Sequence, residues 1–298
     1  MPRKSGTGNC FSPDFLPEAQ LRPTFPNTIL AGTVMTGILD FFAQTHTPYL
    51  HATGRSGTAL LLEHLQVGKG GRILEIGFGT GQTLVEIAVR RPGNELFGIE
   101  NTEGMFRSAQ RRLNLCGLSG IRLAMAPEGG ALPYPSGFFD AVIAESVLAI
   151  LPDEDIPLLL ESCARVLKPG GLLIINESLW RSDVSRETMR EINQKCIGLF
   201  GIPQASDQFA FPDDWERICR NLGLSLEKKQ HLSVVSARMP VKISYALAVS
   251  GLYSSFGRLK RAVHPVLSKQ AKDFRKAEQQ FKSYGLFLEG VLFCFRKG

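Results

Sequence analysis

Ile73-Leu74-Glu75-Ile76-Gly77-Phe78-Gly79-Thr80-Gly81 decides the reading of this chain: an apolar run carrying one acid leads straight into a Gly-x-Gly-x-Gly turn. Leu74 and Ile76 flank the acid as residues of a buried strand do, and Gln82-Thr83-Leu84-Val85-Glu86-Ile87-Ala88 follows with helical character. The expected unit is a strand, a tight turn and a helix N-terminus. Glycines in the turn allow positive φ and close approach of a ligand to the backbone, and unpaired N–H groups at a helix start favour carboxylate or phosphate. A dinucleotide fingerprint needs Gly-x-Gly-x-x-Gly, but here Gln82 stands where the third glycine belongs and Gly81 arrives one residue early. No Gly-x-x-x-x-Gly-Lys-Ser/Thr run occurs either. A nucleoside fits this turn better than a pyrophosphate or a triphosphate.

Working outward, Glu95-Leu96-Phe97-Gly98-Ile99-Glu100 is a second apolar run that ends in an acid. It lies about 20 residues past the turn, the distance at which a carboxylate at the next strand tip meets ribose hydroxyls. Glu100 is the expected ribose acceptor; a helix-capping or solvated acid is the alternative, and a weaker one beside the glycine turn. Residues 101–115 read as a helix with Met105, Ala109 and Leu113 on one face, ended by Gly117. Further strands are expected over 121–126, 139–145 and 172–175, the last ending at Asn176-Glu177. Between the last two, residues 155–167 form an amphipathic helix stopped by Pro169-Gly170-Gly171. Strand and helix in alternation imply an α/β fold with a Rossmann-like, doubly wound, mostly parallel sheet.

Five elements in this order resemble the class I S-adenosylmethionine-dependent methyltransferases, in particular the branch acting on small molecules. They are Glu75-x-Gly77-x-Gly79-x-Gly81, the acid Glu100, Ala131-Leu132-Pro133-Tyr134-Pro135, Phe138-Phe139-Asp140-Ala141-Val142, and Arg165-Val166-Leu167-Lys168-Pro169-Gly170-Gly171. The likeness covers residues 50–180 clearly and the later part loosely. It implies S-adenosylmethionine as cofactor, with Glu75 meeting the methionine amino group directly or through water and the backbone of Gly77, Phe78, Gly79 and Gly81 passing under the nucleoside. It implies Glu100 on both ribose hydroxyls, Asn101 beside it and Met105 near the adenine. Where the family carries an Asp for the adenine amino group, alignment on Leu132-Pro133 places Glu128, followed by Gly129 and preceded by Pro127 instead of the usual glycine. Glu145 corresponds to a position near the reacting methyl, with Ser146 and Leu148 on the same wall.

Methyl transfer from a sulfonium is an in-line displacement, so alignment and exclusion of water are the protein's main duties. If the acceptor must lose a proton, the candidate bases are Glu145, Glu177 and His51, the last in Tyr49-Leu50-His51-Ala52-Thr53-Gly54. Strand-end carboxylates facing water, and a polar loop histidine, are the structural alternatives for these three. Residues 1–55 are expected to form an N-terminal segment or helical cap, 56–180 the cofactor-binding core, and 181–298 the rest of a seven-stranded sheet with substrate-lid helices. Asp213 is expected to cap a helix that Gly223 stops, and strands are expected over 224–232 and 287–295. The connection between them is too long for a hairpin and is expected to hold helices around 244–253 and 269–282. Phe41, Phe42, Tyr49, Trp180, Phe200, Phe209, Phe211, Trp215, Tyr245, Tyr253 and Phe256 offer aromatic surfaces; most belong to the core, and three or four are expected to touch ligand.

The chain has 298 residues, 34 basic and 28 acidic side chains, and six cysteines with no Cys-x-x-Cys pair. That length suits one large α/β domain with additions. Scattered cysteines imply reduced thiols in the cytoplasm and no zinc site. No apolar run reaches 18 residues, and Met1-Pro2-Arg3-Lys4-Ser5 leads to no signal-peptide core, so no transmembrane segment is expected. Part of the formal charge of +6 clusters at Arg258-Leu259-Lys260-Arg261 and along Lys269, Lys272, Arg275, Lys276 and Lys282. A solvated lid face, an anionic substrate or a membrane surface accounts for such a cluster; nucleic acid is not the expected partner. The leading reading is an enzyme methylating N, O or C of a small, partly aromatic or anionic molecule. A nucleic-acid or protein methyltransferase and a non-catalytic cofactor-binding module stay open beside it.

Overall fold

The structure is a computed structural model that describes residues 37–50, 54–127, 131–232, 244–281 and 287–298, all within one compact unit, residues 35–298. Seven strands form a single sheet: β1 (Arg72–Ile76), β2 (Glu95–Glu100), β3 (Arg122–Met125), β4 (Phe139–Glu145), β5 (Leu167–Trp180), β6 (Leu224–Leu232) and β7 (Leu288–Lys297). Their order is β3-β2-β1-β4-β5-β7-β6, with β1 to β5 parallel and β7 antiparallel to both neighbours. From β1 the chain winds outward through β2 to β3, then returns to β4 on the other side of β1. The crevice beyond the carboxyl ends of β1 and β4 is therefore the topological switch point, where open α/β sheets hold their ligands.

Alternation along each strand sorts side chains onto two faces. Leu74 and Ile76 of β1, Val142 and Ala144 of β4, and Leu173 and Ile175 of β5 enter the larger core with α5 (Asp155–Val166), α6 (Arg186–Phe200) and α7 (Pro212–Asn221). Ile73, Ala141, Ile143, Leu172 and Ile174 enter a second core with α2 (Gly54–His64) and α3 (Gln82–Arg90). By the same parity Glu75, Glu145 and Asn176 belong to the second face, and Glu177 to the first. A further cluster joins Phe78, Leu84 and Val85 to Ala109 and Leu113 of α4 (Glu103–Leu115).

Several boundaries depart from the sequence expectation. Strand β5 does not end at Asn176-Glu177 but runs to Trp180, because β7 pairs with it through Trp180 and supplies hydrogen bonds that β4 does not. Lys168-Pro169-Gly170-Gly171 lies within this strand, at a register shift against β4. Asp213 is not the cap of α7: Pro212 takes the first turn, and the Asp214 carboxylate accepts from the Phe211 N–H at 3.2 Å. The connection between β6 and β7 does hold helices, but longer ones than expected: α8 (Tyr245–Val263) against α3 and α4, and α9 (Pro265–Phe281) against α6 and α1 (Ile38–Gln44).

Candidate functional site

The turn after β1 adopts the conformation its glycines allow. Gly77, Gly79 and Gly81 have φ of 65°, 52° and 80°, in the left-handed region that side chains rarely enter. A Cβ on Gly77 would come within 2.2 Å of the Val147 side chain, and one on Gly81 within 2.9 Å of Ala109 Cβ. Backbone therefore passes close to the 146–148 segment on one side and to α4 on the other.

Glu100 closes this turn. Its Oε2 accepts from Gly79 N–H at 2.9 Å, and its Oε1 accepts from Asn101 N–H at 3.0 Å and Thr102 N–H at 2.9 Å. One carboxylate thus ties the tip of β2 to the turn after β1. Burial raises its pKa, opposed by these backbone donors.

Three glutamates meet under the crevice with different partners. The Glu145 carboxylate accepts from Thr58 of α2 at 3.0 Å, Thr83 of α3 at 3.0 Å and Asn176 of β5 at 2.9 Å. Glu177 Oε1 accepts from the Val147 and Leu148 N–H groups at 2.9 and 2.8 Å, and burial pushes its carboxyl up to about 7. Glu75 is 3 % exposed, and its Oε2 has no hydrogen-bond partner. Burial, then repulsion from Glu145 and Glu100, raises the Glu75 carboxyl well above the usual carboxylate range. An unpaired buried carboxyl oxygen beside further acids is stabilised by a cationic donor. Ser146, directly after Glu145, is held at φ 54°, local strain of about 1 kcal/mol of the sort that collects at ligand sites.

These groups surround a cavity of about 950 Å³ at the switch point, near the upper end of the roughly 300–1,000 Å³ of small-molecule sites. Gly77, Gly79, Glu100, Asn101, Met105, Glu145, Ser146 and Glu177 line it, as does Ala126 beyond β3. Of the aromatic residues singled out in the sequence, Phe41, Phe42, Tyr49 and Phe200 stand on its wall. Trp180 and Trp215 are buried in the core instead, each indole N–H donating to a carbonyl.

Not every expected residue reaches the cavity. The Phe78 ring turns away from it and packs over Gly98 and 6.0 Å from Phe106, because the turn directs this side chain between sheet and α4. Gly81 is the left-handed cap of α3 and serves its packing on α4. Leu148 is fully buried, and it is its N–H that matters, as a donor to Glu177. Glu75 is buried and absent from the cavity wall, which its neighbours Ile76 and Gly77 line. His51, Glu128 and Gly129 fall outside the described residues.

Sequence reasoning did not reach the residues that hold these acids. Thr58, Thr83 and Asn176 carry no motif, and Thr47, Leu50 and Thr102 on the cavity wall follow no periodic pattern. Tyr49, at φ 49°, donates to Glu86 Oε1 at 2.6 Å and binds the N-terminal segment to α3. Phe274 and Arg275 enter from α9, and Arg261 from α8.

A doubly wound sheet with a nucleoside-type turn at its switch point, an acid on the next strand tip and a cavity beyond them defines a Rossmann-like ligand-binding enzyme fold. The model of the methyltransferase domain matches residues 73–171, the part that builds this turn and the strands around it. An uncharacterized methyltransferase of Bacillus subtilis, YdaC, is 30 % identical over 139 residues, 47 % of this chain and 74 % of the relative. The demethylmenaquinone methyltransferase of Thermus thermophilus is 35 % identical over 106 residues, 36 % of this chain and 46 % of the relative. Among solved structures, the [4+2]-cyclase SpnF superposes with a TM-score of 0.61 at 18 % identity, over 87 % of this chain and 93 % of that one. That likeness shows the fold alone, and its cyclase chemistry illustrates how little a fold fixes a reaction.

The chain belongs to the class I S-adenosylmethionine-dependent methyltransferases. It is a methyl-transferring enzyme whose cofactor is S-adenosylmethionine.

Proposed function

We propose that this enzyme methylates a small organic molecule at N, O or C, in the cavity that also receives its cofactor. The observation carrying this reading is the two-sided lining of the cavity. One side is the glycine turn with Glu100, Asn101 and Glu145; the other is walled by Phe41, Phe42, Phe200 and Phe274 with Arg261 and Arg275 among them. Such a wall suits a partly aromatic acceptor with an anionic group. The name of the Thermus relative, which specifies demethylmenaquinone, supports a small-molecule acceptor without identifying this one. Five described cysteines are free and buried, which agrees with a cytoplasmic setting.

The unpaired Glu75 oxygen and the left-handed glycines fit the cofactor. In this reading Glu100 takes the ribose hydroxyls with the lone pairs its backbone donors leave, Asn101 lies beside it and Met105 packs under the adenine. Glu75 meets the methionine ammonium directly or through water, and Gly77 and Gly79 pass beneath the nucleoside. Glu128 and Gly129 keep the adenine contacts that the family resemblance gives them, and His51 remains a base candidate on the same ground.

The cofactor supplies a methyl group on a sulfonium, open to in-line displacement by an electron-rich atom. The protein's part is to align that atom and to exclude water. Of the two strand acids, Glu177 is the better base. Its carboxyl titrates near neutrality, where a general base works best, whereas Glu145 is bound by three side-chain donors and serves as the wall near the methyl. A screen of small-molecule extracts with methyl-labelled cofactor tests the reading. Label is expected in a low-molecular-mass product; label confined to protein or nucleic acid refutes it.

A further inference from the structure

Helix α8 carries a continuous apolar stripe on its outer face. Its buried positions are Ala246, Ser250, Ser254 and Gly257, small residues that let the helix sit close to α3 and α4. A Cβ on Gly257 would come within 1.8 Å of the Thr45 carbonyl oxygen, so contact there is tight. Leu247, Val249 and Tyr253 are half-buried against α3, α4 and His46, but five large apolar residues face outward: Tyr245, Leu252, Phe256, Leu259 and Val263 are 59–73 % exposed, and Val266 at the start of α9 joins them. Spacings of seven, four, three and four put the five on one side of a helix roughly 28 Å long. Six of the ten large apolar side chains exposed among the described residues lie on this one stretch, which is not the scatter of an ordinary surface.

The charges beside the stripe have one sign. Residues 245–281 hold seven basic side chains and two acids, Asp273 and Glu278, and α8 itself has no acid. Arg258, Lys269, Lys272, Arg275 and Lys276 are exposed. A second copy docked two-fold on this stripe would set the cations of one α8 near those of the other, with no acid on either helix to pair them. An anionic bilayer complements both properties at once, since apolar side chains enter the headgroup boundary while basic ones meet phosphate. Among the described residues no helix is long and apolar enough to cross a membrane, so the contact is peripheral.

We propose that the outer face of α8 and α9 docks this enzyme on an anionic lipid bilayer, with Leu252, Leu259 and Val263 entering the headgroup boundary. The proposal is independent of the acceptor assigned to the cavity. Cosedimentation of the full chain with vesicles of phosphatidylcholine, and of equal parts phosphatidylcholine and phosphatidylglycerol, tests it. The expected result is binding to the mixed vesicles, weakened by salt, and at least about tenfold poorer binding to phosphatidylcholine alone. The triple variant Leu252→Gln, Leu259→Gln, Val263→Gln should retain the circular dichroism and unfolding temperature of the parent, because all three side chains are exposed, and lose lipid binding at least about tenfold. Equal binding by parent and triple variant, no binding to the mixed vesicles, or a dimer in sedimentation that the triple variant abolishes without any lipid binding overturns the proposal. The last result assigns the stripe to a second copy of the chain.

Discussion

Arg112 on α4 donates to the Ser250 hydroxyl on α8 across 2.7 Å, and neither residue is exposed to solvent. The same guanidinium donates to the Thr80 carbonyl inside the glycine turn at 2.8 Å, to the His46 carbonyl after α1 at 2.9 Å and to the Gln82 amide oxygen at 2.8 Å. Its hydrogen-bond acceptors here are carbonyls, hydroxyls and an amide, so oriented dipoles hold the charge instead of an opposing ion. Burial lowers its pKa to about 10, which still leaves a cation at neutral pH. One side chain thus joins α8, the segment after α1 and the glycine turn.

Replacing that cation should loosen all three. Arg112→Met takes this donor from the buried carbonyls of Thr80 and His46, while the Gln82 amide oxygen and the Ser250 hydroxyl keep only their bond to each other, and a loss of about 3 kcal/mol is expected in denaturant unfolding. Affinity for S-adenosylhomocysteine should fall with it, because Thr80 belongs to the turn.

If Glu75 meets the methionine ammonium as proposed, cofactor binding should release a proton. Its carboxyl is held above the usual range by burial first and by Glu145 and Glu100 next, whereas a bound ammonium favours the carboxylate. Binding should therefore tighten as pH rises toward the value of the unliganded protein, by up to about one log unit per pH unit. Calorimetry of S-adenosylhomocysteine binding in buffers of different ionisation enthalpy reads the released proton directly, and Glu75→Gln should abolish it.

Glu177 should leave two marks. Folding raises its carboxyl from 4.5 to about 7, so its contribution to stability is complete below 4.5 and is lost as pH climbs through 7. Glu177→Gln keeps an oxygen for the Val147 and Leu148 N–H groups and should remove about 3 kcal/mol of that pH dependence. With an acceptor that must lose a proton, the rate of the parent should rise through pH 7. The glutamine variant should then turn over about 100-fold more slowly with cofactor affinity nearly kept.

The core of the fold was legible because its signals are local. Consecutive apolar residues mark β1, β2 and β4, glycines at fixed spacing mark the turn, and β2 and β4 end in acids, Glu100 and Glu145, that line one cavity. What escaped depends on partners far along the chain. Glu177 looked like a strand tip because the residues that extend β5, from Val291 to Leu288, lie more than 100 positions later. Arg112 sits on a helix whose apolar residues declare its buried face, yet its own burial is made tolerable by Ser250 and Ser254, hydroxyls of a helix whose longest apolar stripe faces outward. Hydrophobic periodicity finds no such helix, since it assumes that the apolar side faces in.

In the proposed reading the cofactor's ribose rests on Glu100 above the Gly77 to Gly81 turn. Calorimetric titration of S-adenosylhomocysteine into the parent and into Glu100→Ala tests it most directly. Removing a carboxylate that accepts two hydroxyls should cost about 2 to 4 kcal/mol, a loss of roughly 30- to 1,000-fold in affinity. An unchanged dissociation constant in a variant that retains its fold would contradict the account and move Glu100 out of the binding site.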